Sequence, residues 1–467
     1  MLSSGIFPTR LKFSEVKLIF KKGDKHDTSN YRPVSLLTAF SKIFEKVIYK
    51  RLYHHINNNH SLINEQFSFR NALTDIASYK LTKNILTALN NKLLVGGIFC
   101  DPHKAFDCVN YDILLSKMEF YGIFGKVNNL IKSYLQDRYQ RVLVDFDSKK
   151  YCSKWESVTD GVPQGSILGS LLFLLYINEE PNVISDISNP VLYAEDTSLI
   201  ITNSDSHMFE KDINTTKLQL NRWFNSNLLL LKLEKTYFLQ FLTKNTNATD
   251  LHLPYENRKI SSTHSTKFLR LVIDNNLSRH YHINQMIPKL NKAFYIIRSL
   301  KLLPSFESLK MVYFSTVHSI ISYGIIFWGT ATHSKIICKI QKRIIRIITN
   351  SDNKESCGDL FKKLYILPLQ PQYIFSLLMF VVKNKDFFKM NSGVHSFNAR
   401  FNHDLHIPIA NLAVFQTGVC YSGIKIYNHL PPTLKQLSDD IPKFKAALKT
   451  FIFTNSFYTL EECYSWK

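Results

Sequence analysis

The spacing of apolar positions changes period several times along the chain, and each change marks an element. Phe40, Ile43, Phe44, Val47, Ile48, Leu52 and Ile56 recur three or four residues apart. That spacing predicts a helix with one apolar face. A second helix is expected over about 72–90. Residues 93–99 form a continuous apolar run ending at Asp101, which reads as a buried strand with a carboxylate at its end. Residues 191–201 show two short strand-like runs around a four-residue centre that holds Glu195 and Asp196, a hairpin signature with acids at the turn. Helical periodicity returns near 206–230 through Phe209, Ile213, Leu218, Leu220 and Trp223, and 237–242 and 267–273 read as strands. From about 283 to 350 the pattern is helical again, and the rest is apolar and aromatic with few clear signals. No internal repeat or low-complexity linker is visible.

Composition narrows the class. Of 467 residues, 45% are hydrophobic and 13% aromatic, enough for a sizeable core and too many for a disordered chain. With 15 Gly and 15 Pro, a collagen-like architecture is excluded. The longest apolar runs, such as Leu171 to Ile177, fall far short of the roughly 18 residues a membrane helix needs, so no membrane partner is expected. No basic-then-apolar leader follows Met1, so no signal peptide is expected. Cys100, Cys108, Cys152, Cys338, Cys357, Cys420 and Cys463 are an odd number without a C-x-x-C pair. Neither a disulfide partner nor a zinc module is expected, and an intracellular location, nucleus or cytoplasm, fits.

Charge adds a direction. Lys and Arg number 58 against 37 acids, a formal net charge of +21, which points to a polyanionic partner. The excess is concentrated: Ser265 to Asn350 carries 13 Lys or Arg against two acids. Within it Lys335, Lys339, Lys342, Arg343 and Arg346 share one helix face, while Ile336, Ile337, Ile340, Ile344 and Ile347 supply the other. A charge run of this kind is often only a solvated face; with this total charge, a surface that tracks phosphates is the better account.

The acids suggest chemistry. If the 191–201 hairpin lies beside the strand ending at Asp101, three carboxylates meet at one sheet edge. Carboxylates are hard oxygen donors, and a cluster of them suits a pair of divalent cations about 3.5–4 Å apart that clamps the attacking and leaving oxygens of a phosphoryl transfer. Taken singly, each acid is more simply a soluble turn residue.

The neighbourhood of those acids lifts them above that account. Phe20-Lys-Lys-Gly-Asp24, Asn30-Tyr-Arg-Pro-Val-Ser-Leu-Leu37, Phe40-Ser-Lys-Ile-Phe-Glu-Lys46 and Gln66-Phe-Ser-Phe-Arg70 come first. Asp101-Pro-His-Lys-Ala-Phe-Asp107 with Val109-Asn110, Gly161-Val-Pro-Gln-Gly-Ser-Ile-Leu-Gly169 and Tyr193-Ala-Glu-Asp196 follow. Asn225-Ser-Asn-Leu with Glu234-Lys-Thr236, Lys267-Phe-Leu with Val272-Ile-Asp274, and Ser322-Tyr-Gly324 with Trp328-Gly329 complete the series. In this order the chain resembles the reverse transcriptase of non-LTR retrotransposons, particularly the jockey-like group, with polymerase motifs A to E in turn.

The resemblance implies an α+β right-hand polymerase: fingers at 1–92, a palm with an antiparallel sheet at 93–274, a basic helical thumb-like region at 275–350, and a mainly helical C-terminal region of unknown role at 351–467. It implies templated addition of dNTPs to a DNA primer on an RNA template. Asp101, Glu195 and Asp196 would bind two Mg²⁺ ions, with Mn²⁺ as a substitute, and Lys235 would protonate the leaving pyrophosphate. Lys22 and Arg32 would hold the triphosphate, Phe106 would exclude a 2′-hydroxyl, and Gln164 and Gly165 would contact nucleotide and template. Two rival readings are a catalytically silent nucleic-acid-binding relic and an RNA-dependent RNA polymerase. Phe106 and the Ser322-Tyr-Gly324 and Trp328-Gly329 strings argue against the latter.

The chain departs from the family pattern at several positions. Glu195 stands in place of an aspartate, Ser170 in place of a proline and Pro102 in place of an aliphatic residue. Arg270 and Ser68 each stand in place of a glycine. Met1 falls inside a region that in the family is preceded by an endonuclease domain, so an N-terminally truncated, impaired copy is expected.

Overall fold

In the computed structural model, residues 1–69, 74–102, 104–184, 186–231, 236–243, 254–255, 258–259, 261–301, 305–352, 354–394, 404–455 and 462 are described. The chain divides into two units. The first comprises Met1–Ala77, Gly96–Phe238 and Thr249–Ser262, and the second Ser78–Val95, Leu239–Ala248 and Thr263–Lys467. This division crosses the segment boundaries expected from sequence: part of the first 92 residues and the strands after Ser265 go with the second unit.

The strands are β1 (Phe13–Phe20), β2 (Tyr31–Leu36), β3 (Leu94–Cys100), β4 (Arg138–Phe146), β5 (Lys149–Cys152), β6 (Glu156–Val158), β7 (Ser188–Tyr193), β8 (Asp196–Asn203), β9 (Tyr237–Phe241), β10 (Pro254–Tyr255), β11 (Arg258–Lys259), β12 (Ser261–Ser262), β13 (Ser265–Phe268) and β14 (Leu271–Asp274). The first unit holds a sheet of order β2-β1-β4-β5, with β6 also on β4. In it β1 and β2 are antiparallel, with Val16 opposite Ser35, and β1 and β4 are parallel, with Val16 opposite Val142. The second sheet has the order β12-β9-β3-β8-β7. Its central strand β3 is buried along nearly its whole length, as the unbroken apolar run predicts. Gly96 belongs there because an added Cβ would lie 2.8 Å from the Phe238 ring.

The helices of this unit are α1 (Ala39–Asn58), α3 (Tyr111–Phe120), α4 (Lys126–Leu135), α5 (Ile167–Ile177), α6 (Glu180–Ile184) and α7 (Ser206–Ser226), with α2 (Thr74–Asn90) beginning here and continuing into the second unit. Helix α5 is apolar on every side and buried from Leu168 to Ile177 except at Ser170, with α1 and α3 packed on it. Helix α1 exists where its periodicity predicts it, yet it buries a different face. Ser41, Glu45, Ile48, Leu52 and Ile56 are inside, whereas Phe40, Ile43 and Val47 are exposed. On the buried face, Glu45 serves a neighbouring helix, as described below.

The second unit holds the β13–β14 hairpin and α8 (His280–Leu300), which packs on β14, together with α9 (Phe306–Val312), α10 (Ser319–Ser322), α11 (Ile325–Trp328), α12 (Ser334–Thr349), α13 (Cys357–Leu364), α14 (Leu369–Lys383), α15 (Ala413–Gln416), α16 (Val419–Asn428), α17 (Pro432–Lys435) and α18 (Ile441–Asn455). The C-terminal region, where the sequence gives few signals, is helical, as the fold class expected. Among the described residues no single helix is long and apolar enough to cross a membrane; the bent pair α13 and α14 meets that length and composition only together. None of the six described cysteines forms a disulfide.

Candidate active site and nucleic-acid interface

The hairpin between β7 and β8 is tighter than the sequence implied. Tyr193 pairs with Asp196, leaving a two-residue turn of Ala194 and Glu195, with Ala194 at a left-handed φ of 54°. Strand β8 lies next to β3 in the sheet. A buried glutamate ties their ends: Glu180 Oε1 accepts the Thr197 hydroxyl at 2.8 Å, and the same carboxyl acts on the buried thiol of Cys100. Thr197 follows Asp196 and Cys100 precedes Asp101, so the two aspartates stand at adjoining ends of neighbouring strands. Burial pushes the Glu180 carboxyl up to about 8, opposed by its Thr197 hydrogen bond and by Lys117. Burial first, and then the nearby negative charges of Glu180 and Asp101, push the Cys100 thiol up as well.

Asp101 and Glu195 are half-buried and Asp196 is exposed. Their oxygens suit a hard divalent cation in kind. They are not closed into a ligand set: among the described residues, no group of three or more His, Cys, Asp or Glu side chains could hold a metal ion. Lys235 lies outside the described residues.

The Asp101–Asp107 loop and the Gly161–Gly169 loop are joined by a short ladder. Gly161 N–H donates to Val109 O at 2.8 Å and Val162 N–H to Phe106 O at 2.8 Å. Gly161 sits at φ 85°, and a Cβ there would meet the Asp107 carbonyl at 2.7 Å, so only glycine permits this approach. Phe106 is half-buried and its ring stacks on Phe173 with centroids 4.3 Å apart. The Gln164 side-chain amide donates to Asp107 Oδ1 at 2.8 Å, and its backbone carbonyl accepts Ser35 N–H at 2.8 Å. Gly165 follows at φ 102°, its α-carbon against β2. Lys22 lies just beyond β1 and Arg32 within β2; both are exposed, on the same antiparallel hairpin.

Sequence reasoning missed Glu45. It is fully buried, its Oε2 accepts the backbone N–H of Ile167 at 2.7 Å, and its Oε1 accepts the hydroxyls of Tyr134 at 3.1 Å and Ser41 at 3.3 Å. The available signal was a carboxylate set among apolar helix positions, inside the string Phe40 to Lys46.

In the second unit, Tyr323 donates its hydroxyl to Leu269 O in the β13–β14 turn, and Trp328 Nε1 donates to Tyr323 O at 3.1 Å. The Ser322–Gly324 and Trp328–Gly329 strings therefore brace that turn. Helix α12 buries Ile337, Ile340, Gln341, Ile344, Ile345 and Ile348, a regular three-four spacing; Ile336 and Ile347 lie off it, a correction to the expected stripe. Lys335, Lys339 and Arg343 are exposed, with the Arg343 guanidinium 4.9 Å from the Phe294 ring centroid. Lys342 and Arg346 are half-buried, and Arg346 donates twice to Glu355 O, at 2.9 and 3.2 Å. Arg346 thus holds the chain that follows its own helix.

A β-sheet with aspartates at strand ends, a glycine-tight loop beside them and a β-hairpin carrying cations fit the right-hand polymerase fold. Residues 19–273 match the family described as reverse transcriptase (RNA-dependent DNA polymerase), and the protein belongs to that family. It is 28% identical over 363 residues to the probable RNA-directed DNA polymerase from transposon BS of Drosophila melanogaster, covering 74% of this chain and 39% of that relative. The polymerase of the X-element from the same fly is 27% identical over 357 residues (74% and 38%), and that of its mobile element jockey 26% over 374 (75% and 39%). The chain therefore spans about two fifths of the length of these relatives. An apo telomerase from Candida tropicalis aligns over 81% of this chain and 67% of its own, with a TM-score of 0.39 and 14% identity.

Proposed function

We propose that this chain adds dNTPs to a primer 3′-hydroxyl on an RNA template, as the polymerase domain of a non-LTR element. The observation that carries the reading is the shared Glu180 that brings Thr197, next to Asp196, and Cys100, next to Asp101, to adjoining strand ends, with the Phe106 and Gln164 loops joined to each other. Bound there, divalent Mg²⁺ would stabilise the charge that develops on the attacking and leaving oxygens. Asp101 and Asp196 would hold it, and Glu195, in the turn before Asp196, would join them through a side chain one methylene longer than aspartate. Phe106, fixed on Phe173, would lie under the sugar and reject a 2′-hydroxyl by bulk. Lys22 and Arg32 would bind the triphosphate. Residues 335–343 of α12 would track the phosphates of the primer–template.

The test is primer extension on an RNA template with Mg²⁺ or Mn²⁺. Extension that disappears in Asp101→Asn, and that admits ribonucleotides in Phe106→Val, supports the reading. Activity indifferent to Asp101→Asn overturns it. A second reading is a silent nucleic-acid binder, which Glu195 in place of an aspartate favours. Salt-sensitive duplex binding with no extension under any metal would select it.

A further inference from the structure

We infer that Glu45 is a positioning residue for the nucleotide-side turn at Gln164–Gly165, acting through the N-terminus of α5; this rests on the polymerase reading above. Helix α5 begins immediately after that turn, and the first N–H groups of a helix have no partner within it. Two of these donors are satisfied from opposite sides. Ser166 Oγ accepts Gly169 N–H at 2.9 Å, an ordinary local cap, while Glu45 Oε2, from 122 residues earlier, accepts Ile167 N–H at 2.7 Å. The second contact is unusual because it places a carboxylate inside the protein with no cation bonded to it among the described residues. Its partners are a backbone amide and the hydroxyls of Tyr134 and Ser41, all donors. The positive end of the α5 dipole faces it, which is the favourable side for an anion.

The Tyr134 hydroxyl is equally committed. Burial and the Glu45 charge push its ionisation up, so it keeps its proton and donates. Tyr134 is itself held by Phe7, edge-on at 5.0 Å, and by the Arg138 guanidinium 4.8 Å from its ring centroid. Glu45 thereby links α1, α4 and α5 at a single atom pair. The segment it fixes is short. Three residues before Ile167 stands Gln164, whose two bonds to Asp107 and Ser35 orient the turn from its other end. Gly165 lies between, with an added Cβ only 3.3 Å from Ser35 O. The turn is therefore pinned at both ends, and loss of the Glu45 pin leaves α5 able to shift along its axis relative to the Phe106 loop.

A residue that acts only on stability would lower the melting temperature and leave the kinetics of the folded enzyme alone. A positioning residue changes the apparent affinity for nucleotide. The experiment compares Glu45→Ala and Glu45→Gln in a Glu195→Asp background, measuring KM for dNTP and kcat separately at a temperature where circular dichroism shows all proteins folded. Glu45→Ala is expected to raise the dNTP KM about tenfold or more with a smaller change in kcat, and Glu45→Gln, which retains an acceptor for Ile167 N–H, restores most of it. A KM within twofold of the parent in folded Glu45→Ala overturns the inference.

A parent that extends no primer at all refutes the polymerase reading instead. In that case amide hydrogen exchange on the unaltered chain decides the inference. Protection of residues 164–169 should fall in Glu45→Ala and persist in Glu45→Gln, and unchanged protection in Glu45→Ala overturns it.

Discussion

Gln164 gives its side-chain amide to Asp107 across 2.8 Å, and through that bond the loop after β3 and the loop before α5 become one surface. The two residues are 57 positions apart, and Asp107 is the second acid of the Asp101–Asp107 string. A hydrogen bond to an ionised partner contributes about 1.5–3 kcal/mol. Asp107→Ala and Gln164→Leu should each lower the urea midpoint, and the double variant should lose less than the sum. Strict additivity in that cycle would show that the bond couples nothing.

Under the proposed function, Glu195 is the residue expected to limit activity. Glu195→Asp shortens the side chain by one methylene at constant charge, and Mg²⁺ tolerates little error in ligand position. Primer extension with Mg²⁺ should rise on the order of 100-fold, equivalent to roughly 2.7 kcal/mol of transition-state stabilisation. Asp101→Asn should then abolish it. Brisk Mg²⁺-dependent extension by the unaltered chain would show Glu195 to be adequate.

The β13–β14 turn carries strain. Leu269 and Arg270 both adopt left-handed φ, 46° and 67°, which a two-residue hairpin turn accepts readily only from Gly, Asn or Asp. Arg270→Gly removes a penalty of about 1–2 kcal/mol and adds unfolded-state entropy worth about 0.5–1 kcal/mol, for a net gain of roughly 0.5–1 kcal/mol. Thermal unfolding should report the gain as a higher melting temperature, and a fall would show that the arginine side chain outweighs the turn.

Glu180 makes stability depend on pH. Its folded value of about 8 lies above the ordinary 4.5, so between those limits the folded protein binds more protons than the unfolded chain. The sign follows: its contribution is full below about 4.5, falls as pH rises through about 8, and is constant beyond. Denaturation midpoints measured from pH 5 to 9 should decline with a steeper slope in the parent than in Glu180→Gln. Parallel slopes would mean that the carboxyl is ionised when folded.

The exposed cations of α12 should bind phosphates. Replacing Lys335, Lys339 and Arg343 by Ala should weaken primer–template binding and flatten the logarithmic salt dependence by about 0.7–0.9 for each phosphate no longer neutralised. Arg346→Ala should act differently, lowering stability through the freed Glu355 carbonyl with little change in the salt slope. An unchanged slope in the triple variant would make this face merely solvated.

Much of this molecule is legible in its residues. The period-two and period-three-four patterns place β3, the β7–β8 hairpin, α2, α7 and α12 nearly where they occur, because each pattern reports burial along one local element. The ordered strings around Asp101, Gly161 and Asp196 give the family and put the acids at strand ends. What the pattern could not give were contacts between distant polar atoms. Nothing near Glu45 says that it serves Ile167, nothing near Glu180 says that it meets Thr197, and Arg346 looks like its neighbours until its Glu355 partner is seen. Nor does the pattern say that Phe40, Ile43 and Val47 stay exposed while Glu45 goes inside. A helix turns toward the core the face its neighbours can satisfy, and a buried donor left unpaired costs more than an exposed apolar side chain. That choice is made by the packed structure, since only packing brings the donor and the acceptor together.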